Sequence, residues 1–377
     1  MPNRLLASKF NCWIAAFVAL ATIVAVSLAA PASALAEGEL AQITYTKDGT
    51  EVTEQFSGDS APWDAFNKAA EVSGDVTIDV LADWDQLKKA ANFEVPANRN
   101  FTLNLHGHMI DAGSSDDATQ NTVLVVDEEA TLVVNGGSDD ERSTPHYGTL
   151  TSTEVGSLLW TANETQEEDA SADILNGGLI TGGRAACSSG AGGVLVKDGA
   201  TLTLNSVILA GNKSNVVNLY YGHGGAISLF GDKAKLTVNS SALIYNYAEG
   251  WGGAIYVNDD ESEVTITGGS DVNGNGSGKY GGAIAVDGNE DKLTVKDSRL
   301  MDNMGTTMAV RSTSIAKREM LPSTTPTYRR TARKTTAAPS TTITTALSTP
   351  SAMARSLKAI RPTTAAPSTW MTIPRSR

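Results

Sequence analysis

The sequence predicts an all-β fold: a right-handed parallel β-helix solenoid with a small α/β N-terminal cap and a disordered C-terminal tail. The first observation is a repeat, because the motif Gly-Gly-Ala-Ile begins at Gly224, Gly252 and Gly281, in steps of 28 and 29 residues. The second is a short β-branched alternation in each period, such as Leu236-Thr237-Val238, which places apolar residues on one face and Thr on the other. A fixed period of this size indicates stacked structural repeats.

The period is too short for an antiparallel sandwich with long hairpins, since three short strands and their turns must fit within about 28 residues. If each period is one turn of a parallel β-helix, equivalent residues lie above one another at a spacing of about 4.8 Å. The sequence therefore predicts two inward stacks of apolar side chains, Ile227, Ile255 and Ile284 in one and Leu229, Val257 and Val286 in the other.

Two kinds of residue are predicted to form the corners. Asn lies three residues after an apolar residue in each period, where it would tolerate left-handed backbone and bond side chain to side chain along the stack. Gly-Gly supplies the next corner, where a Cβ would obstruct the turn. The predicted ladder residues are Asn212, Asn246, Asn275 and Asn303, with Gly224, Gly225, Gly252, Gly253, Gly281 and Gly282.

The segment Leu243-Ile244-Tyr245-Asn246-Tyr247-Ala248, followed by Gly252-Gly253-Ala254-Ile255-Tyr256, resembles the repeats of bacterial surface β-helix proteins. These include the polymorphic outer membrane proteins and related adhesin-like solenoids. Where that family usually has Phe three residues before the Asn, this chain has Leu or Val. The resemblance covers about a quarter of the chain and implies a fold and a surface location more than it implies an activity.

Residues 1–36 have the features of a secretory signal peptide. Arg4 and Lys9 precede an apolar run, and Ala34-Leu35-Ala36 offers a small-residue cleavage site. A membrane anchor is the alternative, but Pro31 interrupts the apolar stretch. After cleavage the sequence predicts no membrane span and a secreted or cell-surface location. Cleavage also removes Cys12 and leaves Cys187 as the single cysteine, which we interpret as a small buried side chain.

Residues 37–97 are predicted to form an N-terminal cap and entry strand, followed by coils over residues 98–303. Asp48-Gly49 between two alternating runs predicts a hairpin. Pro62 predicts the start of a short helix with Ser60 as its cap, and a second short helix is predicted over residues 83–91. A solenoid needs such a cap because an open end exposes a sheet edge and the apolar core.

Residues 304–377 differ in composition from the rest of the chain. They contain 12 Lys and Arg against one acidic residue, whereas residues 37–303 contain 15 basic and 41 acidic residues. The segment is rich in Thr, Ser, Pro and Ala and has no apolar periodicity, so we predict that it is disordered.

The tail also repeats with the coil period. Ala-Ala-Pro-Ser-Thr begins at Ala337 and again at Ala365, a step of 28 residues. The codons GGC GGC GCC ATC TAC encode Gly-Gly-Ala-Ile-Tyr, and they read as Ala-Ala-Pro-Ser-Thr when shifted by one base. We therefore favour the hypothesis that the reading frame slips between Asn303 and Met308. The alternative is a genuine basic stalk that contacts anionic cell-wall polymers.

Several residues are candidates for a binding or metal site. Trp251 and Tyr280 directly precede a Gly-Gly pair and are possible stacking platforms for sugar rings. We favour a role in shielding the corner, since His223 occupies the same place one coil earlier. His106 and His108 lack a convergent third ligand and are interpreted as solvent-facing turn residues. No cofactor is predicted, although the acidic turns at Asp259-Asp260-Glu261 and at Asp287, Glu290 and Asp291 could hold Ca²⁺ if stacked.

These features predict an exported, adhesin-like or structural surface protein that binds a glycan or a host or cell-surface protein without turnover. No nucleic-acid partner is predicted. A polysaccharide lyase or hydrolase is the competing class, because parallel β-helices carry such sites in a side groove and acidic residues recur here. A third possibility is a truncated fragment of a larger surface protein without a function of its own. The sequence leaves the oligomeric state open.

Overall fold

The computed structural model describes residues 38–85, 87, 92–113, 122–168, 171–185, 190–215, 222–306 and 309–310. The predicted signal peptide, Cys187 and the part of the basic tail beyond Val310 lie outside these residues. The fold is all-β, and its body is a right-handed parallel β-helix.

The described residues contain one α-helix, α1 (Ala61–Glu71), a 3-10 helix (Glu141–Ser143) and thirty strands. The first eleven strands are β1 (Glu39–Lys47), β2 (Thr50–Ser57), β3 (Val76–Val80), β4 (Phe93–Val95), β5 (Asn100–Asn104), β6 (Met109–Asp111), β7 (Leu124–Val126), β8 (Thr131–Asn135), β9 (Pro145–Ser152), β10 (Leu158–Ala162) and β11 (Asp173–Asn176). The next nine are β12 (Leu179–Thr181), β13 (Arg184–Ala185), β14 (Val194–Val196), β15 (Thr201–Asn205), β16 (Ile208–Ala210), β17 (Lys213–Ser214), β18 (Ile227–Leu229), β19 (Lys235–Asn239) and β20 (Ala242–Ile244). The last ten are β21 (Tyr247–Ala248), β22 (Ile255–Val257), β23 (Glu263–Thr267), β24 (Asp271–Asn273), β25 (Gly276–Tyr280), β26 (Ile284–Val286), β27 (Lys292–Val295), β28 (Arg299–Met301), β29 (Met304–Thr306) and β30 (Ala309–Val310).

Four sheets run along the sides of the solenoid, and the chain visits them in the order A, B, D, C. Sheet A has the strand order β2-β1-β3-β5-β8-β15-β19-β23-β27, and sheet B has β28-β24-β20-β16-β12-β6. Sheet D has β13-β17-β21-β25-β29, and sheet C has β30-β26-β22-β18-β14-β7-β4. Within these four sheets all pairings are parallel except those of β1 with β2 and with β3. The seven parallel strands of sheet A are separated by six turns.

The coil has one strand more than the sequence predicts. Besides the strands of sheets A, B and C, the short strands of sheet D pair from coil to coil, as Tyr247 does with Gly276. This strand follows directly after the Asn corner and carries no apolar alternation, because most of its members are only two residues long. Periodicity alone therefore gives no sign of it.

The predicted inward stacks are confirmed. Ile227 pairs in register with Ile255, and Ile255 with Ile284, while Leu229, Val257 and Val286 form the neighbouring stack in the same strands. All six side chains are buried. Each alternation in sheet A also points its apolar residues inward, so the interior is one continuous apolar column.

The N-terminal segment is part cap and part coil. The hairpin is confirmed, since β1 and β2 pair around Asp48 and Gly49, both with positive φ. Helix α1 is also confirmed, but the Ser60 hydroxyl bonds the Asp64 carboxylate instead of a backbone N–H. The prediction of a second helix is wrong for the described residues of 83–91: Trp84 forms a parallel bridge with Ile110. The first coil therefore begins at β3, and coil pairing continues past Asn303 to β30.

The acidic segment after β8 leaves the solenoid as an antiparallel sheet with the order β10-β9-β11. Trp160 returns to the body and is fully buried. It packs with Met109, Leu179 and Ala210 in a second apolar cluster, separate from the interior column. This cluster attaches the excursion to the outer face of sheet B.

Candidate functional site

The predicted asparagine ladder is present at the corner between sheets B and D. The Nδ2 of Asn212 donates to the Oδ1 of Asn246 at 3.2 Å, that of Asn246 to Asn275 at 3.0 Å, and that of Asn275 to Asn303 at 2.9 Å. Each Oδ1 also accepts the backbone N–H of the Asn one coil earlier. The ladder therefore closes the corner by satisfying backbone groups that the turn leaves unpaired.

One detail of that corner differs from the prediction. The left-handed backbone falls on the residue before each Asn: Gly211, Tyr245, Gly274 and Asp302 all have positive φ. The Asn itself keeps ordinary backbone and points inward, which lets its amide reach the carbonyls of the coil before it.

The Gly-Gly corner follows the predicted logic. Gly224, Gly252 and Gly281 have φ between +65° and +68°. The second glycine of each pair lies close to the backbone of the next coil, and a Cβ on Gly253 would approach the carbonyl oxygen of Gly282 to 2.2 Å. Both glycines are therefore needed, the first for its backbone conformation and the second for space.

Trp251 and Tyr280 belong to an aromatic ledge, which we define as His223, Trp251, Tyr256 and Tyr280, on the corner between sheets D and C. The Trp251 ring lies 5.6 Å from His223, 5.9 Å from Tyr256 and 5.7 Å from Tyr280, measured between ring centroids. Tyr256 is buried beneath it, Trp251 is half-buried, and Tyr280 remains 49% exposed. The ledge thus places aromatic rings over the corner and also presents an aromatic edge to solvent.

His223 stays neutral within the ledge. Burial, together with the positive charge of Lys279, lowers its pKa to about 4. Its Nδ1 accepts the backbone N–H of Trp251 at 3.0 Å, which requires an unprotonated nitrogen at that position. The imidazole therefore acts as an uncharged ring that positions Trp251.

The acidic turns before sheet A form a column in which each carboxylate accepts a hydrogen bond from a backbone N–H of the next coil. The Oδ1 of Asp198 accepts the N–H of Asp232, that of Asp232 accepts from Asp260, and that of Asp260 accepts from Asn289 at 2.7 Å. These oxygens are thus engaged in holding the turns in register. Among the residues that the structure describes, no group of three or more His, Cys, Asp or Glu side chains has the geometry of a metal site.

Asp291 is a buried carboxyl in a corner that otherwise holds small residues. Ala130, Ala200, Ala234 and Ser262 occupy the corresponding position of earlier coils, one residue before each sheet A strand. Asp291 is 4% exposed, its Oδ1 accepts the Ser262 N–H at 2.8 Å, and its Oδ2 has no hydrogen-bond partner. Burial, with the nearby charges of Asp260, Asp259 and Asp232, raises its pKa to about 6.

His106 and His108 are partly exposed, in line with their interpretation as solvent-facing turn residues, but each also contacts a carboxylate from a distant segment. The His106 ring lies between Asp79 and Glu141, 3.0 Å from each carboxylate, and both raise its pKa. His108 lies 3.3 Å from Asp83, and the buried His146 lies 3.7 Å from the other oxygen of that carboxylate. Their acidic partners come from the preceding coil or from the excursion, so local sequence gave no sign of them.

No helix in the described part of the chain is long and apolar enough to cross a membrane. Comparison with known proteins adds no assignment: no family model, no curated protein and no solved structure matches this chain.

Proposed function

We propose that this chain is an exported, adhesin-like or structural solenoid of the cell surface that binds a glycan or a protein ligand without turnover. The aromatic ledge carries this proposal. Tyr280 is 49% exposed beside the half-buried Trp251, so a large aromatic edge is held rigidly at the surface. Such rings bury much area at little entropic cost, and they are enriched where proteins contact sugars and other proteins.

The rigidity of the ledge favours binding. Its backbone is held by the preceding coil at both positions, since the Gly224 N–H donates to the Trp251 carbonyl and the Gly252 N–H donates to the Tyr280 carbonyl. Beneath the rings, the Tyr256 hydroxyl bonds Asn258 at 2.7 Å. The rings are therefore preorganised, which reduces the ordering cost that a ligand must overcome.

The test is binding of the purified full chain to a glycan array and to cultured cells, compared with the variant Trp251→Ala/Tyr280→Ala. We expect the double variant to lose binding at least tenfold while its circular dichroism spectrum shows that it remains folded at the assay temperature, although the loss of the Trp251 contacts should lower its melting temperature. The matched control is Ile174→Ala on the excursion, since Ile174 is 48% exposed but lies outside the ledge. Equal binding by the ledge variant and the wild type would refute the proposal.

The competing proposal, a polysaccharide lyase or hydrolase, rests on Asp291. A carboxyl with a pKa of about 6 close to other acidic residues is what a general acid in glycoside cleavage requires. Its burial argues against contact with a polymer, since a catalytic acid must reach the glycosidic oxygen. Release of reducing or unsaturated ends from pectin or related glycans by the full chain, abolished in Asp291→Asn, would favour the enzyme.

The proposed surface role assumes export through the signal peptide and further coils beyond those encoded in this frame. Sequencing the gene from codon 295 past the stop codon, with translation in all three frames, tests the second assumption. We expect a neighbouring frame to continue the Gly-Gly-Ala-Ile repeats. If none does, the basic tail is a genuine segment of the protein, and its attachment to the cell wall becomes the alternative.

A further inference from the structure

The outer face of sheet A carries a row of threonines that crosses all nine strands. The strand pairings place one residue of each strand in this row, and eight of the nine are threonine. From β2 to β27 the row consists of Thr53, Thr44, Thr77, Thr102, Val133, Thr203, Thr237, Thr265 and Thr294. Because neighbouring strands lie about 4.8 Å apart, the hydroxyls repeat at that interval over about 38 Å.

A second row runs beside the threonines, two residues further along the parallel strands from β3 to β23. It consists of Asp79, the amides Asn104, Asn135, Asn205 and Asn239, and Thr267. The side chains are joined by hydrogen bonds: Asn239 donates to Asn205 at 3.2 Å, Asn205 to Asn135 at 3.0 Å, Asn135 to Asn104 at 2.9 Å, and Asn104 to Asp79 at 2.8 Å. Gln55 and Gln42 extend the row to the hairpin. Within the ladder each linking amide uses one N–H and one lone pair, which leaves one of each for a ligand.

A polar groove borders the amide row at the corner between sheets A and B. Ser206 and Ser240, which follow Asn205 and Asn239 in successive coils, line it together with Asp271. Asp139 and Arg142, at the 3-10 helix, line it as well, and the Arg142 guanidinium donates to the Ser206 hydroxyl at 3.4 Å. The equivalent serines of successive coils give the groove the direction of the solenoid axis.

The two rows are almost uncharged although the chain is acidic. Asp79 is the single ionisable residue in them, and it is paired with His106 and hydrogen-bonded by Asn104. The flanking charges are of both signs: Lys292 pairs with Glu263 at 2.6 Å, and Lys235 lies in register on the other side of Glu263. In the groove, Asp271 pairs with Arg299 at 3.0 Å, and Asp139 pairs with Arg142. Residues 37–303 carry 26 more acidic than basic groups, so the surrounding field repels polyanions. The surface is complementary to a ligand that is neutral and rich in hydroxyls.

We propose that this face of sheet A and its groove bind an uncharged polysaccharide chain lying along the solenoid axis. The repeat of hydroxyl and amide groups at one strand spacing suits a polymer whose own hydroxyls recur, since the same contact is then made several times. The site lies on a different side of the coil from the aromatic ledge, and it does not depend on the function proposed for the ledge.

The experiment is co-sedimentation of the full chain with insoluble neutral polysaccharides, namely cellulose, chitin and curdlan, with calcium-free pectate as the polyanionic comparison. The variant is Thr203→Val/Thr237→Val/Thr265→Val, which removes three hydroxyls but keeps the β-branched shape. We expect wild type to bind at least one neutral polymer with little change between 50 and 500 mM NaCl, and the variant to bind at least tenfold more weakly. The control is Thr151→Val/Thr161→Val on the excursion, which should bind as wild type does.

Three results would overturn this inference: no binding of wild type to any neutral polymer, binding to pectate alone, or undiminished binding by the triple variant with an unchanged melting temperature. The Trp251→Ala/Tyr280→Ala variant separates the two proposals. If it loses binding to the neutral polymer while the triple variant keeps it, the ligand sits on the ledge and the sheet A proposal fails. The reverse result supports sheet A alone.

Discussion

Each residue of a coil belongs to a column of equivalent residues that are stacked in successive coils. A side chain that suits one coil is repeated above and below, so an exception stands out against its equivalents. Asp291 is such an exception, because it places a carboxyl where earlier coils have Ala or Ser. His223 is another, since its imidazole occupies the position of Trp251 and Tyr280 and is held neutral by burial.

The raised pKa of Asp291 predicts a pH-dependent stability. A carboxyl whose folded pKa of about 6 exceeds its value of about 3.8 in the unfolded chain stabilises the fold below about pH 4. That contribution is lost as the pH rises through 6. We expect Asp291→Asn, which keeps the acceptor for Ser262, to raise the melting temperature at pH 8 and to leave it unchanged at pH 3.5.

Thermal melts monitored by circular dichroism from pH 3.5 to 8 would test this prediction. Asp297→Asn in the same coil is the control, because Asp297 is exposed and its substitution should give no comparable pH-dependent gain. An identical melting temperature of Asp291→Asn and wild type at pH 8 would contradict the prediction, because it would mean that the ionised Asp291 carboxylate does not destabilise the fold.

At the level of elements, two amide ladders stabilise the coil, one on its inner surface and one on its outer surface. The inner ladder at the corner between sheets B and D is buried and bonds backbone groups, whereas the outer ladder on sheet A is half-exposed and bonds mainly side chain to side chain. Their chemistry is the same, but water can replace a lost partner only in the outer ladder. The two should therefore differ in their contribution to stability.

We expect Asn246→Ala to lower the free energy of unfolding by about 3 kcal/mol or more, because several buried backbone groups lose their partner. Its Nδ2 bonds the carbonyls of Leu209 and Ile244, and its Oδ1 accepts the N–H of Asn212. Asn239→Ala is the matched control and should cost less than about 1 kcal/mol. Urea denaturation compares the two variants, and equal losses would contradict the distinction.

At the scale of the whole molecule, the N-terminal segment covers the first coil. Helix α1 inserts Phe66 among Trp84, Phe93 and Phe101, with ring centroids 4.8 to 6.4 Å away. The hairpin of β1 and β2 meanwhile changes the direction of pairing at the end of sheet A. Together they close the apolar column and convert an open parallel edge into an antiparallel hairpin.

We expect Phe66→Ala to destabilise the fold by about 3 to 5 kcal/mol and to increase aggregation, because the variant leaves a cavity at the end of the column. The measurement is the melting temperature together with light scattering during heating. Leu158→Ala serves as the control, since Leu158 is 38% exposed on the excursion. A variant that melts as wild type does and stays monodisperse would show that the cap is dispensable.

Much of the architecture could be read from the repeats, since a period of 28 or 29 residues with β-branched alternation constrains both the coil and its inward face. The inner ladder and the Gly-Gly corner followed from residue types that recur at fixed spacing. The outer ladder was not predicted, even though Asn ends four sheet A strands, as in Thr201-Leu202-Thr203-Leu204-Asn205. Outward polar residues are ordinarily solvated, and only the register of the coils shows that these amides bond one another.

The sequence by itself determined the class of fold, the inward stacks, the inner ladder and the glycine corners, because each depends on one residue type repeated at one interval. Only the tertiary structure decided which side chains contact one another across coils of unequal length. The contacts of His106 and His146, the return of Trp160 to sheet B and the burial of Asp291 depend on distant segments brought together by stacking. Local pattern carries no information on such contacts, since they depend on how far each excursion reaches before the chain rejoins the coil.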